Sequence, residues 1–231
     1  EKRHYKAKLR LLHAIREQGG RLDSKVAANK YKITKAVIDG LVNEGIIDRE
    51  SKQIYRNPLE QMKLEENRDI TMNENQRDCV NRFIQDYQQE NYQTYLLHGV
   101  TGSGKTEVYI RMMEQVIKGG RQGIILIPEI ALTHQTVARF YQHFGKQVSI
   151  LNSRMSEGER YDQYTQAREG EIKLVIGPRS ALFMPFEDIG LIIIDEEHEN
   201  SYKSENTPKY HAREVAIYRA KLAHASVVLG S

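Results

Sequence analysis

Lys105 and Thr106 close an eight-residue run, GVTGSGKT (99–106), with the spacing G-x-x-x-x-G-K-[ST]. Gly99, Gly102 and Gly104 permit backbone angles that a Cβ discourages. Ser103 shares their loop, so the chain can wrap a polyphosphate and aim N–H groups at it from a helix N-terminus. Lys105 would reach the β- and γ-phosphates, and the Thr106 hydroxyl would hold Mg²⁺. The motif needs a strand before it and a helix after it. The apolar Tyr95, Leu96 and Leu97 lead in, and a helix-competent segment starts at Glu107.

A second group, LIIIDEEH (191–198), lies about 90 residues downstream of Lys105. Four apolar residues run into Asp195, which puts that carboxylate at the carboxyl edge of a strand, where open α/β sheets bind ligands. Asp195 is the expected partner of Thr106 on Mg²⁺, and Glu196 the residue that orients and polarises the attacking water. Transfer of a γ-phosphoryl group asks for little beyond this positioning and charge neutralisation. ATP and Mg²⁺ are the expected substrate and ion.

These residues need a scaffold, and the pattern from 71 onward supplies one. TMNENQRDCVNRFIQDYQQ reads as a helix with Val80, Phe83 and Ile84 inward. Strands are expected at 94–98, 123–127, 148–151, 173–176, 190–194 and 226–229, with helical patterns at 106–118, 131–144, 157–169 and 213–223. Runs such as GIILIP, LVIG and VVLG are apolar on both faces, as buried parallel strands are. The alternation predicts an α/β fold: a RecA-like P-loop NTPase lobe on a parallel sheet, residues 71–231. Ser156 and Glu159 predict a capping box.

Residues 1–56 read differently. Leu9, Leu12, His13 and Ile15 suggest a first amphipathic helix, Val26 to Ala28 a short second one, and Ile33, Val37, Ile38, Leu41 and Val42 a third. IIDRE-SKQ-IYR resembles a hairpin. Three helices and a hairpin predict a small, mainly α winged-helix domain whose third helix, with Lys32, Thr34 and Lys35, would face a DNA groove. This block holds 14 Lys+Arg against 7 Asp+Glu, and the remainder 20 against 24, within a net charge of +3. A basic module on a mildly acidic one suggests a polyanion partner; packing of the winged helix on protein is the alternative. Residues 57–70, polar from Pro58, are expected to be a linker.

Hydrophobic content of 39% with 28% charged residues is that of a soluble globular chain. No membrane span and no signal-peptide core is evident. The single cysteine, Cys79, excludes an internal disulfide or a multi-cysteine zinc site within these residues and fits a reducing, cytoplasmic setting. Ser231 follows directly on the apolar VVLG, which suggests a piece of a longer protein.

The Asp-Glu-Glu-His form of the second motif resembles that of the superfamily 2 DExH/DEAH-type helicases. IPEIALTHQ (127–135), GPRSALF (177–183), DEEHENSYK (195–203), PKYHAREVA (208–216) and the terminal LGS resemble successive segments of the bacterial primosomal replication-restart helicases, the PriA family. The likeness is dense from about 71 to 231. It implies an ATP-dependent 3′→5′ DNA helicase that recognises and remodels stalled forks for primosome assembly. Forked and single-stranded DNA, primosome proteins and single-stranded-DNA-binding protein are the implied partners.

By the same resemblance Gln76 would read adenine, although Gln85, Gln88 and Gln89 stand close in sequence. His198 would link the nucleotide to the DNA face. Tyr202, Lys203, Lys209, Tyr210, His211 and Arg213 would belong to an aromatic-rich loop that stacks on unpaired bases and follows phosphates. Thr133, His134 and the Gly177–Ser180 turn, with Arg179, would lie along the tracked strand. The second motor lobe with its γ-phosphate arginines, the zinc-binding cysteine cluster and a domain capturing a 3′ end are all expected outside these residues. Two other readings remain open from the residues themselves: a nucleotide-gated DNA-binding switch that does not translocate, and an ATPase whose winged helix docks on protein.

Overall fold

Apolar runs in the second half of the chain assemble into one six-stranded, all-parallel sheet with helices on both faces. The computed structural model describes residues 2–50, 71–100 and 102–231. By contacts the chain divides into two units, Glu1–Ile54 and Tyr55–Ser231.

In the first unit, helices α1 (Lys2–Glu17), α2 (Ser24–Asn29) and α3 (Lys35–Asn43) close around Leu11, Ala27, Ile33, Val37 and Leu41. Ala14 is buried as well. The inward face of α1 therefore differs from the expected one: Leu9 is 39% exposed and His13 lies outside, while Leu11 and Ala14 point in. Lys32 turns the chain between α2 and α3 at a positive φ of 54°. Lys32 and Lys35 are both exposed. Two ion pairs, Lys8–Glu44 and Arg49–Asp39, tie the middle of α1 to the end of α3, and α3 to the loop that follows it. Ile46–Glu50 carry no strand. The rest of the expected hairpin and the expected linker, 51–70, lie outside the described residues.

The second unit begins with α4 (Glu74–Gln88), followed by β1 (Thr94–Leu97), α5 (Lys105–Lys118), β2 (Gln122–Leu126), α6 (His134–Phe144), β3 (Val148–Ile150), α7 (Glu157–Arg168), β4 (Leu174–Gly177), β5 (Ile189–Ile194), α8 (Ala212–Ala223) and β6 (Ser226–Gly230). The sheet order is β1-β6-β5-β2-β4-β3. Strands β2, β4 and β5 are buried throughout, which is why they lack polar alternation. On one face α4, α5 and α6 pack Phe83, Met113 and Phe140 against Ile125 and Ile193. On the other, α8 lays Ala212, Ala216 and Ala220 against Ile192 and Val227. Replacing the fully buried Phe140 by Ala would cost about 3–5 kcal/mol.

Local signals agree with these elements. Ser156 and Glu159 form the expected reciprocal cap of α7, and Asn73 with Gln76 makes a second one at α4. At the strands' amino ends Arg121 fastens β5 to the end of α8: it pairs with Asp188 at 2.7 Å and donates to the carbonyls of Ile189, Ala223 and His224.

Candidate nucleotide site

The strand order places β1 and β5 on either side of β6, so the loops leaving β1 and β5 meet at the carboxyl edge of the sheet. Residues 98–104 run from β1 into α5. Gly102 and Gly104 take φ of 81° and 86°, and a Cβ at Gly104 would come within 2.4 Å of the Gln76 amide nitrogen. Glycine adopts such a φ without the strain that a Cβ brings. The loop is anchored to β6: Gly99 N–H donates to the Ser231 carbonyl at 2.9 Å, and Ser231 N–H to Leu97 at 3.1 Å.

Lys105 starts α5 with its ammonium turned back into the loop, 2.6 Å from the Gly99 carbonyl and 3.3 Å from that of Ser231. It lies 3.4 Å from a carboxylate oxygen of Glu196. The two motifs thus converge, with Lys105 and Glu196 each only partly exposed. Glu196 occupies a positive φ of 48°, which few non-glycine residues adopt. Glu197 N–H, one residue on, bonds to Gly230 O on β6.

Asp195 follows the last residue of β5. Its carboxylate accepts from the Tyr109 hydroxyl at 2.9 Å, and its carbonyl from the Tyr202 hydroxyl at 2.7 Å. Burial pushes the Asp195 carboxyl above its ordinary range; the Tyr109 hydrogen bond opposes this, the Glu196 charge adds to it and the Lys105 charge opposes it. Burial, reinforced by the Asp195 charge, also raises the Tyr109 and Tyr202 phenols, so both stay protonated donors. Thr106, the second residue of α5, and Asp195 offer hard oxygen donors. Among the described residues no three His, Cys, Asp or Glu side chains gather as a metal site. A divalent cation such as Mg²⁺ would suit donors of this type, being commonly held by one or two protein oxygens with phosphates and waters completing its shell.

Gln76, expected to read adenine, touches the loop between β1 and α5. Its amide nitrogen donates to Ser103 O at 2.8 Å, and its oxygen accepts from Asn73 N–H at 2.9 Å. His198 is 58% exposed, 3.7 Å from Glu196.

The expected DNA-contacting residues separate into two groups. Lys203 and Lys209 are exposed, and Tyr210 is half-buried with its ring edge-on to the exposed Phe183, centroids 5.4 Å apart. Tyr202 must be corrected: it is 1% exposed, its hydroxyl spent on Asp195 and Leu126, so it has no face on which a base could stack. Arg213 pairs with Glu197 at 2.7 Å, and Arg179 donates to the carbonyls of Ser201 and Lys203, bracing the loop from beneath. Thr133 caps α6 through its side chain, and His211 caps α8. Tyr109 escaped the sequence reading, although its place four residues after Lys105 puts it on the same helix face.

Residues 69–230 match the family described as type III restriction enzyme, res subunit. The chain belongs to that family. Among curated relatives it is similar to the replication restart protein PriA of Bacillus subtilis, 41% identical over 93% of this chain and 27% of that protein. It is also similar to those of Chlamydia pneumoniae (48% over 68% of this chain and 21% of that protein) and Synechocystis (37% over 96% and 26%). The resemblance carried by the motif segments is borne out. The chain spans about a quarter of the length of these relatives. A solved structure titled as RecG bound to a three-way DNA junction superposes with a TM-score of 0.53 at 24% identity, covering 70% of this chain and 21% of that one. That likeness shows the fold, a RecA-like lobe. Helicase-family lobes of this kind use a nucleotide and a divalent metal ion.

Proposed function

We propose that this chain carries the ATP-binding motor lobe of a 3′→5′ DNA helicase that remodels stalled replication forks and allows replication to restart. The observation that carries the reading is the 3.4 Å approach of Lys105 to Glu196 across the β1–β6–β5 edge. It brings the phosphate-binding cation and a general-base carboxylate to one place.

In this reading Lys105 neutralises the β- and γ-phosphates, and the loop from Gly99 to Gly104, with Ser103, turns N–H groups toward them. Gln76 stands where it can meet both the base and the loop. Thr106 and Asp195 hold Mg²⁺, which when bound supplies charge stabilisation to the transferring phosphoryl group. Glu196 orients water for attack, and His198 beside it faces solvent on the side toward DNA. Lys203, Lys209 and Tyr210, with Phe183, offer an exposed surface of cations and aromatic rings for single-stranded DNA. Lys32 and Lys35 at the start of α3 would contact fork DNA from the basic first unit, read here as a winged helix. Among the described residues no helix is long and apolar enough to cross a membrane. Primosome proteins and single-stranded-DNA-binding protein are the partners that the relatives' role in replication restart suggests.

The deciding experiment is Lys105→Ala in the full-length protein, assayed for ATP turnover with and without forked DNA and for strand separation. Loss of both is expected, and retained unwinding would overturn the reading. DNA binding without any strand separation by the unaltered protein would instead favour a nucleotide-gated switch. Fork binding at rising salt tests the first unit: Lys32→Gln and Lys35→Gln should each lower the salt slope by about 1.

A further inference from the structure

Two tyrosines from different elements meet at one aspartate. Tyr109 projects from α5 four residues after Lys105, is 1% exposed, and donates a hydrogen bond from its hydroxyl to the Asp195 carboxylate at 2.9 Å. Tyr202 comes from the loop after β5, is equally buried, and donates to the main-chain carbonyl of Asp195 at 2.7 Å, with Leu126 O at the end of β2 a longer 3.1 Å away. Buried phenols need partners for their hydroxyls, and both of these find theirs at Asp195. Space for the first was kept clear: a Cβ at Gly230 on β6 would lie 1.9 Å from the Tyr109 oxygen.

We propose that Tyr109 and Tyr202 are positioning residues that set Asp195 for a divalent cation. Tyr109 acts on the carboxylate, and Tyr202 on the backbone from which it hangs. The inference rests on the nucleotide-site reading above. Its physical basis is the geometry of a carboxylate on two side-chain torsions. A donor on one oxygen selects the rotamer and so fixes where the other oxygen points. A hydrogen bond to the main-chain carbonyl holds the strand end, and the neighbouring Glu196 with it. Tyr109 does this as a neutral donor, so it adds no charge to compete with Lys105 for the phosphates.

Tyr202 also lies one residue before Lys203, whose main chain forms a bridge with His211 at the root of the exposed Lys203–Tyr210 loop. The segment that carries the exposed lysines is therefore preceded by a residue pinned to the backbone of Asp195.

The test is equilibrium binding of a fluorescent ADP to the full-length protein, titrated with Mg²⁺. In the unaltered protein Mg²⁺ tightens ADP binding, and Asp195→Asn removes that gain. Tyr109→Phe, which deletes one oxygen, should raise the Mg²⁺ concentration giving half the gain by about 10-fold. Affinity without Mg²⁺ should stay unchanged. Tyr202→Phe should shift the midpoint in the same direction by less. In the Asp195→Asn background Tyr109→Phe should have no further effect. An unaltered Mg²⁺ midpoint in Tyr109→Phe overturns the proposal. So does an equal loss of affinity with and without Mg²⁺, which is what a merely structural tyrosine would give. If the unaltered protein shows no Mg²⁺-linked gain at all, the nucleotide-site reading falls and this inference with it.

Discussion

The Lys105 ammonium and the Glu196 carboxylate lie 3.4 Å apart, although 90 residues of chain and a full strand, β6, separate the elements that carry them. In the reading proposed above, the pair joins the two halves of a phosphoryl-transfer site. It also predicts how the halves come apart. Glu196→Gln keeps the size and most of the hydrogen bonding of the side chain but removes the base. Turnover should fall by about 10²–10⁴-fold, while ADP affinity changes by no more than about 3-fold. Steady-state ATPase beside equilibrium nucleotide binding reads both. Parallel losses of binding and turnover would mean that Glu196 matters as a partner of Lys105 rather than as a base.

Arg121 supports the sheet at the end away from the nucleotide site. One guanidinium bonds the Asp188 carboxylate and three carbonyls on β5 and at the end of α8, and its side chain is 16% exposed. Truncation leaves those acceptors without a charged donor. Arg121→Met should destabilise by about 2–4 kcal/mol. Arg121→Lys should recover only part, because an ammonium cannot span the same fork of acceptors. Urea unfolding measures this, and equal stability of the Lys variant and the parent would show that charge alone suffices.

A milder, pH-dependent contribution comes from Glu129. Its carboxylate accepts from the Ser153 hydroxyl and from Ser153 N–H at 3.1 Å, and these bonds hold its pKa below the ordinary value. A depressed carboxylate stabilises the fold above its unfolded pKa of about 4.3, and that contribution disappears as pH falls through the lower folded value. The stability gap between the parent and Glu129→Gln should therefore be present at neutral pH and close on acidification. Urea midpoints from neutral to acid pH check it; a gap that persists unchanged would remove the charge from the explanation.

Much of the lobe was legible because its signals are short-range. Glycine spacing, a lysine and a hydroxyl define the loop at 99–106 without knowledge of the fold. Doubly buried strands announce themselves as runs such as LIII. The Ser156–Glu159 cap needs only three residues of context. What stayed hidden depended on elements distant in sequence. Tyr202 lies among Glu, Asn, Ser and Lys and reads as exposed; its hydroxyl instead bonds the carbonyls of Leu126 and Asp195, at the ends of two neighbouring strands. In α1 the spacing of Leu9, Leu12, His13 and Ile15 pointed to one face, yet the face that packs on α3 carries Leu11 and the small Ala14. Tyr109 looked like ordinary helix because its partner comes from β5.

The contact between Gly230 and Tyr109 supplies a last prediction that joins stability to the site. A methyl group at position 230 would sit 1.9 Å from the Tyr109 oxygen and 3.1 Å from the ring carbon that bears it. Gly230→Ala should therefore destabilise by about 1–3 kcal/mol, the usual range for overpacking. It should also displace the Tyr109 hydroxyl from Asp195. With Tyr109→Phe in the same chain the worst clash is gone, so the double variant should be more stable than the sum of the single effects implies, by about 1 kcal/mol. Urea unfolding of the four proteins closes the cycle. Strict additivity would mean that the tyrosine moves aside freely, and then it cannot be what holds the Asp195 carboxylate in place.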